Sequence, residues 1–137
     1  MSASDNVATV KELYDNFGAG NVDPILEVLH DDIDWAGEAD PPVSPWDGLR
    51  KGKDEVRQFF ADLDSVAGGK DSSFVPKAFG TSDDDEVFVF IRYEFTASTT
   101  GKKAAMNLHH YWRFRDGKVE FFRGSEDTAQ LKTVLDV

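Results

Sequence analysis

The chain has 137 residues, 40% of them hydrophobic and 30% charged, with a formal net charge of −11 and no cysteine. That length and balance fit one soluble globular domain over residues 1–137 with a real core. The missing cysteines exclude disulfides, thiolate nucleophiles and Cys-based metal sites, and the negative surface argues against nucleic acid and anionic membranes as partners.

MSASDNVATVKELY at the start lacks the basic and apolar regions of a secretory signal. No apolar run approaches the roughly 20 residues of a membrane span. A cytoplasmic protein is the expectation.

Val7, Val10, Leu13, Tyr14 and Phe17 fall on one helical stripe, capped by Ser4 or Asp5 and stopped by Gly18-Ala19-Gly20. Asp23-Pro24 opens a second helix, with Ile25, Leu26, Val28 and Leu29 as its apolar face. His30-Asp31-Asp32 ends it, and His30 suits the negative end of the helix dipole. Ile33 to Ala36 reads as a short strand. Residues 37–52, rich in Pro and Gly, form a long loop of the kind that often carries function. Lys53 to Leu63 is a third helix, with Val56, Phe59, Phe60 and Leu63 on its buried face.

The remainder is β. Ser72–Thr81 and Glu86–Ser98 are strands, and Asp116-Gly117 makes a tight hairpin between two aromatic-rich runs. Met106, Leu108, His110, Trp112 and Phe114 share one face of the first run; Asn107, His109, Tyr111 and Arg113 share the other. Asp127 to Leu135 is a closing helical turn. Helices grouped against a meander of strands give an α+β class with a curved antiparallel sheet, leaving a cavity at its open end.

His110 is the sharpest candidate, a single imidazole on an apolar face, where burial keeps it neutral and able to donate or accept one proton. A satisfied core histidine is the bland alternative. Asp127 is either a pocket acid or the N-cap of the last helix. Arg123 is either an anion anchor in the cavity or a surface charge. Trp35, Trp46 and Trp112 suit pocket walls. Phe17, Phe59 and Tyr93 suit core or cavity lining. Three histidines, two of them adjacent on opposite faces, do not converge on an ion, so neither metal nor cofactor is expected.

Three segments, ELYDNFGAGNVDPILEVLHDDIDW, GLRKGKDEVRQFF and HYWRFRDGKVEFFRGSEDTA, together resemble the nuclear transport factor 2-like superfamily, in its SnoaL-like polyketide cyclase and ketosteroid isomerase-like branches. The resemblance implies a cone-shaped, cystatin-like α+β barrel, three N-terminal helices enclosing an apolar pocket, and a homodimer formed through the outer sheet face. In the isomerases a protonated aspartate donates to the oxyanion; His110 falls at that position. Tyr14 is a near match, out of register, to the tyrosine donor of the first helix. The base position falls on Gly37, with Glu38 beside it, and the cyclase-like acid is best matched by Asp127. The epoxide-hydrolase branch uses an Arg and two acids. Arg92 and Glu94 have similar spacing, but their strand phase sets them outside the pocket.

Two functions stay open, beside a purely structural dimer whose pocket is vestigial. One is a cofactor-independent isomerase, cyclase or hydrolase-type acid–base enzyme for a small apolar carbonyl compound, using His110, Tyr14 and Asp127 or Glu38. The other is a module that binds a hydrophobic ligand without turnover.

Overall fold

The computed structural model describes residues 2–137. Helix α1 spans Ala3–Gly18 and α2 spans Val22–Glu27; strands β1 (Leu29–Gly37) and β2 (Gly48–Lys51) precede α3 (Gly52–Ala67). Strands β3 (Ser73–Ser82), β4 (Glu86–Thr96), β5 (Lys103–Arg115) and β6 (Lys118–Ser125) follow, and α4 (Thr128–Leu135) closes the chain.

The six strands form one unclosed sheet in the order β2-β1-β6-β5-β4-β3. All neighbours run antiparallel except β1 and β6, which are parallel. β2 and β3 are free edges, so the sheet curves without closing into a barrel. Among the described residues, no helix is long and apolar enough to cross a membrane.

Each helix is held by its own chemistry. Ser2 caps α1 in a capping box with Asp5, one turn ahead of the predicted cap. Asp54 and Glu55 sit in the first turn of α3, where negative charge suits the helix dipole, and the Glu55 carboxylate accepts the Lys51 N–H at 2.8 Å. Val56, Phe59, Phe60, Val66 and Ala67 form its buried stripe. They meet the inner sheet face, where Trp35, at 2% exposure, packs against Phe59, Phe60, Trp112 and Phe122. These aromatic faces contribute burial energy at about 25 cal/mol per Å² of apolar surface.

The predicted alternation along β5 is borne out: Ala104, Met106, Leu108, Trp112 and Phe114 are buried, while Lys103, Ala105, Asn107 and His109 are exposed. Several boundaries differ from those predicted, and α3 runs on to Ala67 rather than ending at Leu63. α2 ends at Glu27, because Leu29 pairs with Val119 and the Val28 carbonyl accepts the Val119 N–H at 2.9 Å. His30 therefore lies in β1, where its Nε2 meets the Arg115 carbonyl. The long loop also contains a short edge strand, β2, paired with the end of β1.

Candidate functional site

A cavity of about 60 Å³ lies between the inner sheet face, α1 and α3. At roughly 15 Å³ per water position it holds about four waters, or a compact head group. Its walls are aromatic: Tyr14 and Phe17 come from α1, Phe59 and Phe60 from α3, and Trp35, Trp112 and Phe122 from the sheet. No Lys or Arg lines it among the described residues. Its polar side chains converge from three directions, and two clusters of them define its chemistry.

The first cluster joins α1 to β5. The Trp112 Nε1–H donates to the Tyr14 hydroxyl at 3.0 Å, and that hydroxyl lies 2.7 Å from Nδ1 of His110. Burial pushes the Tyr14 phenol up and the His110 imidazole down to about 3, the latter aided by neighbouring His109. Both groups are therefore neutral near pH 7. An indole N–H can only donate, so Tyr14 accepts from Trp112 and has its own proton to give. The arrangement satisfying every partner runs Trp112 to Tyr14 to His110 Nδ1, which places the imidazole proton on Nε2. Nε2 faces Gly124, the β6 residue paired with His110; a Cβ there would stand 3.4 Å from Nε2 and 3.2 Å from Cδ2. Glycine thus leaves room beside the one free N–H of the imidazole.

The second cluster joins β6 to the long loop. Phe122 and Gly124 point into the cavity, and Glu126, just past the strand, continues their phase. Its Oε1 accepts the Trp46 Nε1–H at 2.8 Å. Burial pushes the carboxyl up to about 7; the Trp46 hydrogen bond acts the other way, and the charge of Asp47 adds to the rise. Asp47 itself knits the loop: its Oδ2 accepts the Val43 N–H at 2.8 Å and the Ser44 N–H at 2.9 Å. That folded loop holds Trp46, 2% exposed, as a fixed wall of the cavity.

Of the residues singled out in the sequence, Tyr14, His110, Trp35, Trp46, Phe17, Phe59, Tyr93 and Trp112 line the cavity. Three expected residues do not. Asp127 is exposed and caps α4, accepting the Gln130 N–H at 3.0 Å. Glu38 is exposed, because its neighbour Gly37 holds the inward position and no bulge reverses them. Arg123 lies on the outer face, ion-paired with Asp34 at 2.8 Å and stacked on Phe121 at 3.9 Å. It alternates with the inward pair Phe122 and Gly124. The acid that reaches the cavity is instead Glu126, which the sequence reading passed over. Its signal was the phase of Gly124, and the helix start after Asp127 had already claimed the neighbouring carboxylate.

Asp127→Ala should cost about 1 kcal/mol in urea unfolding, as loss of an N-cap does, while leaving ligand affinity in the cavity unchanged.

Outside the cavity, Asp83, Asp85 and Glu86 bring carboxylates within 4.8 Å of one another at the exposed β3–β4 turn. Glu86 there already accepts the Tyr111 hydroxyl.

Comparison with known proteins agrees with this architecture. The profile of the SnoaL-like domain matches residues 10–121. A search of curated proteins finds no match. Among solved structures, an NTF2-like protein of unknown function from Burkholderia pseudomallei is 26% identical, with all of both chains covered and a TM-score of 0.87. TerC, co-crystallised with polyporic acid, is 25% identical over 97% of this chain and 99% of its own, with a TM-score of 0.83. A candidate SnoaL-like polyketide cyclase from Jannaschia is similar in fold, at 19% identity over 98% of this chain and 93% of its own, with a TM-score of 0.82.

Proposed function

The chain belongs to the SnoaL-like domain family, and from that premise we propose that it binds a small, largely apolar carbonyl compound and moves a proton α to the carbonyl without a cofactor. The observation that carries this reading is one cavity holding both a half-buried Glu126 raised to about 7 and a neutral His110. A carboxyl near 7 is poised to take and return protons at neutral pH. A neutral imidazole N–H can stabilise the enolate oxygen. In the forward step the Glu126 carboxylate takes the α-proton, the C–H pair becomes the enolate C=C, and the carbonyl oxygen gains charge beside His110 Nε2–H. In a β,γ-unsaturated substrate the enolate is a dienolate, and Glu126 returns the proton to its γ-carbon, moving the C=C into conjugation and completing an isomerisation. In a dicarbonyl substrate the enolate carbon attacks the second carbonyl, whose oxygen takes the proton from Glu126, and a ring is closed. With no cation in its lining, the cavity favours a neutral ligand over a carboxylate or phosphate.

Binding without turnover is the second reading. The inward position at the end of β1 is Gly37, not an acid, which leaves Glu126 as the only carboxylate lining the cavity among the described residues. The co-crystal of TerC with polyporic acid supports a small organic ligand under either reading.

Deuterium exchange of the α-protons of small enolisable ketones separates the two. Exchange above buffer rate in the wild-type protein supports catalysis. Ketones that quench the cavity tryptophans yet exchange only at buffer rate would leave the binding module.

The same reading has the protein acting in the cytoplasm as a homodimer. Phe88 and Phe90 on β4 are 45% and 39% exposed, beside Tyr111, His109 and charges of both signs. Such a face suits a second copy of itself. Sedimentation equilibrium should give roughly twice 15.3 kDa, and Phe88→Asp with Phe90→Asp should return the monomer mass. A wild-type monomer at all concentrations contradicts the dimer.

A further inference from the structure

Between the end of α1, α3 and the start of β3 lies a second, wider cleft of about 670 Å³. It adjoins the inner cavity: Phe17, Phe60, Leu63, Phe74 and Tyr93 line both. The inner chamber is narrow and apolar, whereas the outer cleft also presents Arg57, Asp64 and Ser72. These five shared side chains stand at the junction of the two spaces, the neck of any site that spans both.

Tyr93 alone among them carries a polar atom. The residue is 4% exposed, yet its hydroxyl makes no hydrogen bond among the described residues and is not sealed away from the open space. The phenol is fixed by Phe74 and Phe95 at ring distances of 5.4 and 5.0 Å. Burial pushes the phenol up, and the charges of Glu126 and Asp64, one from each compartment, add to the rise, so it is a neutral donor. A hydroxyl that reaches open space and has no protein partner keeps its proton available to a ligand acceptor.

We propose that the two spaces form one two-compartment site and that the Tyr93 hydroxyl selects ligands bearing a hydrogen-bond acceptor at the neck. The ligand class follows: a compact carbonyl head fills the inner chamber, an ether or carbonyl oxygen meets Tyr93, and a larger tail lies in the outer cleft. This deepens the carbonyl reading above and rests on it for the head group.

Calorimetric binding of three probes tests it: cyclohexanone, 4-phenoxycyclohexanone and 4-benzylcyclohexanone. The phenoxy ketone should bind wild-type protein at least tenfold more tightly than cyclohexanone, and several-fold more tightly than the benzyl ketone. Ala61→Trp places bulk on an exposed residue that lines only the outer cleft; it should remove the gain from the tail and leave cyclohexanone affinity unchanged. Tyr93→Phe should erase the preference for phenoxy over benzyl and keep the gain from the tail. No gain for either tailed ketone, a gain that survives Ala61→Trp, or an ether preference that survives Tyr93→Phe overturns the proposal. Because the readout is affinity, a protein that binds in this pattern but exchanges no α-protons defeats only the catalytic reading.

Discussion

Glu126→Gln is expected to lower α-proton exchange by about 10²–10⁴, the usual contribution of a positioned general base. The amide keeps an oxygen to accept the Trp46 N–H, so the wall of the cavity stays in place while the proton acceptor is lost. The same variant should change stability in a defined direction. The Glu126 carboxyl rises from its ordinary 4.5 to about 7, so the folded state holds a proton that the unfolded state has released. Stability from this group is complete below pH 4.5 and is lost as pH rises through 7. The loss is on the order of 3 kcal/mol at most. Glu126→Gln should therefore raise the melting temperature at pH 8 by several degrees and change it little at pH 4.

His110 acts in the opposite sense. Its imidazole falls from 6.5 to about 3, so the unfolded state binds more protons across that range and stability rises with pH from 3 to 6.5. The two trends overlap and oppose each other between 4.5 and 6.5. The wild-type protein should be most stable on that plateau.

Tyr14→Phe is expected to be the most destabilising single change at the site. It removes one oxygen but strands two buried partners, the Trp112 Nε1–H and His110 Nδ1. At about 1–3 kcal/mol for each of the two unsatisfied groups, the loss is about 2–6 kcal/mol, or roughly 7–20 °C in melting temperature for a chain of this length. The variant also frees the imidazole proton to move to Nδ1. The ¹⁵N shifts of His110 should report the Nε2–H tautomer in the wild type and a mixture in Tyr14→Phe. Exchange activity should fall with that mixture. A variant that unfolds with wild-type stability, or that keeps a pure Nε2–H tautomer, contradicts the relay.

Legibility in the sequence followed how local each feature is. The alternation of β5 placed His110 and Trp112 inward without any knowledge of partners, because period two is a property of the strand itself. The stripe on α3 was visible for the same reason. β2 was hidden: four residues, Gly48-Leu49-Arg50-Lys51, show no period and become a strand only by pairing with β1. The end of α2 was misplaced because Val28 and Leu29 continue an apolar helical spacing, and pairing of Leu29 with β6 overrides it. Glu126 is the most instructive miss. Its environment is made by Trp46, eighty positions away in sequence, and by the burial that this contact brings. Asp127, its neighbour, had the better local signal but spends it on capping α4.

The most direct test of the acid–base site is a ¹³C NMR titration of the Glu126 side-chain carboxyl in the folded protein. A midpoint near 7, absent from the spectrum of Glu126→Gln, is the predicted result. A midpoint at the ordinary glutamate value of 4.5 would mean that no base is poised in the cavity, and would contradict the assignment of Glu126.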